Sequence, residues 1–230
     1  MRIGIIAAMR GELHPLVREW PRTDTVFCGQ LGGFECFAAC EGMGVAGATR
    51  SFSAVRAAAG QLDAVVSYGW AGALSCGVHA PNVHVVAEVI DAQTGERFAT
   101  GSVHRGPEAP VRLVTLNHVA GSKEKRPLAE RYKAVLVDME AAVVARLARA
   151  HGLGFVCLKG ISDGYQDELP DFNPFITQQG RLRTGAFALH AALHPATWSP
   201  LRELRLNSRD AANGLARSLL DTLAQARLVS

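Results

Sequence analysis

Three acidic side chains, Glu12, Glu140 and Asp163, each stand just past the end of an apolar run that reads as a β-strand. Alone, an acid in the first turn of a helix is ordinarily a cap that complements the helix dipole. Three on one rim of one sheet suit acid/base work instead. With no cluster of metal-binding histidines, the substrate they fit is neutral and hydroxyl-rich. The five cysteines (Cys28, Cys36, Cys40, Cys76, Cys157) form no CxxC pair and no zinc-type spacing, so no metal is expected. Their odd number, in apolar surroundings, reads as reduced and mostly buried thiols. A serine nucleophile would need a GxSxG elbow, and the chain has none. A dinucleotide would need GxGxxG after residue 7, which is also missing.

The hydrophobic pattern gives the elements that must hold these acids. Residues 2–8 are an apolar run without alternation, as in a strand buried on both faces of a parallel sheet. The run stops at Met9-Arg10-Gly11, and Glu12 opens a helical pattern to about Glu19. Segments 25–29 and 34–40 read as a hairpin joined by Leu31-Gly32-Gly33. A small-residue helix is predicted from Val45 to Ala59, then a strand from Ala64 to Ser67 that ends in the loop Gly69-Trp70-Ala71-Gly72. Val83–Ile90, Leu113–Leu116 and Ala134–Val137 are further strands, with 93–112 a polar surface excursion. Asp138 is placed to cap a helix from Met139 to His151, which Gly152 stops. Phe155–Lys159 is the last strand, followed by a loop at 160–164; the remainder is loop, then a helix carrying Leu201, Leu204, Leu215, Leu219 and Leu220 on its apolar face. Alternating strands and helices imply an α/β single-domain three-layer sandwich over 1–230, with a mixed, mainly parallel central sheet flanked by helices. Ligands bind such sheets at the carboxyl ends of strands, where the three acids lie.

Composition narrows the function classes. The chain has 230 residues, 48% hydrophobic and 20% charged, the balance of a soluble globular protein. A chain this long can bury roughly 70–75% of its unfolded surface without a disulfide or metal staple. Lys and Arg outnumber Asp and Glu by 24 to 21, too small and scattered a surplus for a nucleic-acid groove. The stretch 64–87 is uncharged but broken by Gly69, Gly72, Gly77, Pro81 and Asn82, unlike a membrane helix. A cytoplasmic protein is expected, with no nucleic-acid partner and no stable membrane insertion.

Met1-Arg-Ile-Gly-Ile-Ile-Ala-Ala-Met-Arg-Gly-Glu12 resembles the opening of the 5′-methylthioadenosine/S-adenosylhomocysteine nucleosidases, in the wider purine nucleoside phosphorylase superfamily. Val137-Asp-Met-Glu-Ala141 is similar to their strand-to-helix signature, Ile161-Ser-Asp163 to their acid-bearing strand end, and Gly69-Trp-Ala-Gly72 to their glycine loop. The matches keep the family's order across residues 1–164. The resemblance implies that Glu12 activates the attacking water and Glu140 grips the ribose hydroxyls beside Met139. It also implies that Asp163, oriented by Ser162, protonates the departing purine. His118 falls where the family stacks an aromatic on adenine, and Val119 would present its backbone to the base edge. Ala8, Gly44, Gly69 and Trp70 would surround the water or phosphate. Such a mechanism expects Asp163 in a poorly solvated pocket that raises its pKa.

Two departures from the family concern the acceptor. Trp70 stands where the nucleosidases carry a serine, either beside the acceptor or packed at the sheet edge. The phosphate-binding arginine of superfamily phosphorylases would fall at Ser67, so hydrolysis is favoured and no cofactor is implied; inorganic phosphate would be a co-substrate only of a phosphorylase. Arg10 and the Gly42-Met43-Gly44 loop are the available substitutes for an anion site. The 93–112 segment, residues 163–170 and the tail from Pro200 to Arg209 resemble the hopanoid-biosynthesis-associated nucleoside phosphorylases. That resemblance implies adenine release from an adenosylated hopanoid, with apolar faces at 172–176 and 187–193 to receive it. The expected partner is a small purine nucleoside, adenine-bearing and 5′-substituted, with a homodimer as the family default. A non-catalytic purine-binding module is the alternative class, but such a module could dispense with Glu12.

Overall fold

A computed structural model of the chain describes residues 1–101 and 110–226; the 102–109 part of the surface excursion lies outside the described residues. β1 (Arg2–Ala7) leads through α1 (Arg10–Val17) to β2 (Arg22–Thr23), β3 (Val26–Leu31) and β4 (Phe34–Cys40). α2 (Gly44–Ala59) returns the chain to β5 (Ala64–Ala73). β6 (Val83–Val85), β7 (Glu88–Asp91), β8 (Arg97–Ala99) and β9 (Arg112–Thr115) follow. Next come α3 (Ser122–Tyr132), β10 (Leu136–Asp138), α4 (Ala141–Ala150) and β11 (Gly154–Asp163). The chain finishes with α5 (Thr184–Leu193) and α6 (Trp198–Gln225).

Among the described residues the eleven strands form one mixed sheet. Its centre is parallel: β4, β1, β5 and β11 run together, and β9 is parallel to both β7 and β10. Antiparallel pairs join β10 to β5 and β6 to β11, and build the β2–β3–β4 and β7–β8 edges. Side-chain alternation along β1 sets up the layers. Ile3, Ile5 and Ala7 pack with Leu13 and Val17 of α1 and Leu215, Leu219 and Leu223 of α6, while Ile6 faces Phe52 and Val55 of α2 and Val144 of α4. Helices thus cover both faces, which explains why β1 is apolar throughout.

Several predicted boundaries are corrected. β5 does not end at Ser67 but runs through Gly69-Trp70-Ala71-Gly72, and β11 runs on through 160–163, because the two strands pair in parallel along that whole length. Val83–Ile90 is two strands: β6 bonds to β11, then the chain crosses to align β7 with β9. Asp138 accepts the N–H of Ala141, the first residue of α4, at 2.9 Å, but the N-cap position is Glu140 and the helix begins at Ala141 rather than at Met139. The excursion contains β8, paired with β7, and α3 is a helix that the apolar pattern does not predict. All five cysteines are free; Cys36 and Cys157 are buried, whereas Cys76 is exposed. No helix among the described residues is long and apolar enough to cross a membrane.

Candidate active site

The Glu12 carboxylate is buried in a cradle of backbone N–H groups. Oε2 accepts from Ala8 at 2.8 Å and Met9 at 2.7 Å, and Oε1 accepts from Trp70 at 2.9 Å. These donors come from the end of β1 and the middle of β5, so two parallel strands fix one carboxylate. Gly69 makes room for it: a Cβ there would stand 2.5 Å from Oε1, and its φ of +152° is one that side chains rarely adopt. Burial raises the Glu12 pKa, and the three N–H groups and the Lys159 charge only partly oppose that shift.

Glu140 stands between β10 and α4. Asp138 anchors this corner by accepting from the Thr115 hydroxyl at 2.7 Å and pairing with the buried Lys159 ammonium at 2.8 Å. Burial works most strongly against the Lys159 charge, but Asp138, Cys157 and Glu140 together outweigh it and hold the pKa above its ordinary value. One Glu140 oxygen accepts the Gly44 N–H at 2.6 Å, at the first turn of α2, where a helix favours negative charge. Burial and the neighbouring Asp138 carboxylate nonetheless push Glu140 up to about 8.

Asp163 ends β11 at a bulge. Ile161 pairs with Ala71 and Asp163 with Gly72, which leaves Ser162 as the extra residue. The Ser162 hydroxyl donates to Asp163 Oδ1 at 2.7 Å. Gly72 permits the approach, since a Cβ there would lie 2.9 Å from Oδ2. Asp163 is buried, as a poorly solvated pocket requires, and Lys125 of α3 donates to its Oδ2 at 2.7 Å, a partner the sequence did not suggest.

These three acids line one hollow of about 140 Å³, together with Ala8, Trp70, His118, Val119, Met139 and Ser162. An adjoining cleft of about 530 Å³ shares Met43, His118 and Met139 and includes Gly44. The Trp70 indole reaches from the hollow toward α6. Its Nε1 donates to the Ser208 carbonyl of α6 at 2.9 Å, its ring lies against Gly11, and only its backbone N–H serves Glu12. His118 sits at the mouth, with Asn117 Oδ1 at 2.9 Å and Glu124 Oε1 at 2.8 Å from its two ring nitrogens.

The Val119 backbone edge is not open. Its N–H donates to Asn173 Oδ1 at 2.8 Å and its carbonyl accepts from Asn173 Nδ2 at 3.1 Å. One side-chain amide thus supplies an acceptor and a donor side by side, the pair an adenine edge would supply. The suggested anion loop is closed as well, because the N–H groups of Gly42, Met43 and Gly44 go to Ala8 O, Gly180 O and Glu140. Among the described residues no group of His, Cys, Asp and Glu could hold a metal ion. Sequence reasoning missed Lys125, Lys159 and Asn173; only Lys159, a charge inside an apolar strand run, left a signal there.

Residues 2–116 and 113–193 match the family model described as the phosphorylase superfamily. The chain belongs to that superfamily. No curated protein sequence matches it. Among solved structures it is similar to the futalosine hydrolase of Helicobacter pylori, with 17% identity over 97% of each chain and a TM-score of 0.68. It is also similar to the 5′-methylthioadenosine nucleosidase of Arabidopsis thaliana, at 16% identity, 97% and 94% coverage and a TM-score of 0.70. A third structure is the 5′-methylthioadenosine/S-adenosylhomocysteine nucleosidase of S. pneumoniae with a transition-state inhibitor, at 20% identity, 98% and 99% coverage and a TM-score of 0.66. The phosphorylase-superfamily fold and the hollow at its strand ends agree with the rule that such sheets bind ligands there.

Proposed function

We propose that the chain hydrolyses the N-glycosidic bond of a purine nucleoside, releasing the free base from a 5′-substituted adenine nucleoside. The observation that carries this reading is the convergence of Glu12, Glu140 and Asp163 on one hollow. Breaking the bond builds positive charge on the ribose and negative charge on the base. Glu12 takes a proton from the attacking water, and burial shifts its pKa upward, the direction a general base needs. Glu140 accepts from the ribose hydroxyls, beside Met139. Asp163, held by Ser162, delivers a proton to the purine. His118 covers the base, whose edge meets Val119 once Asn173 gives way.

Water is favoured over phosphate because the donors a phosphate would need are already used. Glu12 takes the Ala8, Met9 and Trp70 N–H groups, Glu140 takes that of Gly44, and Lys125 and Lys159 are paired with carboxylates. The names of the similar structures, hydrolase and nucleosidases, point the same way. A second reading concerns the 5′ substituent. Phe172 stacks on Phe187 at 4.8 Å, and Leu189, Leu193 and Trp198 nearby in the chain are exposed, which favours a bulky apolar group such as the hopanoid of an adenosylated lipid. The experiment is incubation with methylthioadenosine, adenosylhomocysteine, adenosine, inosine and an adenosine carrying a large apolar 5′ group, with and without phosphate. Free base with ribose supports hydrolysis, ribose 1-phosphate would replace it by phosphorolysis, and no base from any nucleoside would end the proposal. A homodimer and a cytoplasmic location belong to the same reading, and sedimentation and fractionation test them.

A further inference from the structure

Lys125 is among the largest fully buried side chains of the protein, and it is the only buried residue of α3. A lysine is seldom placed so deep without a task or a partner. Its Nζ donates to Asp163 Oδ2 at 2.7 Å and to the Gly164 carbonyl at 2.5 Å, with the two side chains 1% and 8% exposed. The remaining contacts of Asp163 are the Ser162 hydroxyl on Oδ1 and the close backbone of Gly72. Other ionisable groups around the pair are already engaged. Asp167 accepts the Gly164 N–H at 2.7 Å, and Glu124 bonds His118 and the Gly121 N–H. Asp171 accepts the Asn173 N–H at 2.9 Å.

We propose that Lys125 is a positioning residue that loads Asp163 with the proton the purine receives. This rests on the nucleosidase reading above. The resting pair is ammonium and carboxylate. In the loading step a Lys125 N–H bond breaks and an Asp163 O–H bond forms, which leaves a neutral amine. That O–H then breaks as a purine ring N–H forms, while the electrons of the sugar–base C–N bond pass into the base. Water supplies the oxygen to the sugar carbon and its proton to Glu12, which returns it to solvent, and solvent reprotonates Lys125. Lysine suits this part and arginine does not, because arginine keeps its proton at any working pH.

The test compares kcat and KM for base release, from about pH 5 to 9, in the wild type, Lys125→Arg and Lys125→Gln, using the best nucleoside of the panel. Free adenine binding by calorimetry checks that each variant keeps its site. Lys125→Arg keeps the ion pair but withholds the proton, so kcat falls at least about 100-fold, the low end of general-acid contributions, with KM within about threefold. Lys125→Gln leaves Asp163 to load from solvent, so its kcat falls at a pH at least about one unit below that of the wild type. If Lys125→Gln does not fold, the arginine variant decides alone. Wild-type kcat and an unshifted pH profile in Lys125→Arg would reduce Lys125 to a staple between α3 and β11 and overturn the proposal. Absence of base release by the wild type would instead remove the nucleosidase reading on which it stands.

Discussion

Replacing Asn173 by alanine should tighten the binding of free adenine. The side-chain amide spans Val119 with two hydrogen bonds, of 2.8 and 3.1 Å, and an incoming base must break both to reach the same edge. Each such bond is worth about 0.5–1.5 kcal/mol net of its exchange with water. The competition therefore amounts to about 1–3 kcal/mol, or about 5- to 150-fold in Kd. The truncation is otherwise local. The Asn173 backbone N–H still donates to Asp171, and Phe172 and Phe175 still pack on Phe187. Titration calorimetry with adenine reads the change directly. Asn173→Asp, which keeps the acceptor but loses the donor to the Val119 carbonyl, should fall between wild type and alanine. Unchanged or weaker binding in Asn173→Ala would mean that Asn173 braces the loop and that the base does not use the Val119 edge.

Other predictions follow from the same geometry. Glu12→Gln exchanges one carboxylate oxygen for an N–H group that cannot accept from its backbone donors, and it should lower kcat for base release by about 10²–10⁴-fold. Lys159→Met leaves the Asp138 carboxylate buried without its partner, and urea unfolding should show a loss of about 3–5 kcal/mol. Because the folded Glu140 carboxyl is pushed up to about 8 from its ordinary 4.5, the folded state holds that proton more tightly than the unfolded chain does. Its contribution to stability is full below the ordinary value and is lost as pH rises through about 8. Melting temperature should therefore decline less between about pH 5 and 8 in Glu140→Gln than in the wild type; equal slopes would contradict the assignment.

The parts legible in the sequence are those where burial writes a pattern. β1 is apolar because helices cover both of its faces, and the three acids stand out because each follows such a run. The glycine-containing ends of β5 and β11 read as loops, since it is pairing with strands distant in sequence, each other, β10 and β6, that keeps them extended. α3 left only a faint trace because its one fully buried residue is a lysine and its apolar side is limited to the partly buried Leu128, Ala129 and Tyr132. That hid Lys125 along with the helix. Asn173 was hidden for another reason: its partner Val119 lies 54 residues away, and no local rule connects an asparagine in a loop to a backbone edge.

The most direct test of the whole account is the rate of adenine release by Asp163→Asn set beside that of the wild type, with binding of free adenine measured on the same samples. The account predicts that the wild type frees the base while the variant still binds it and loses most turnover. Equal turnover in the two proteins would contradict it.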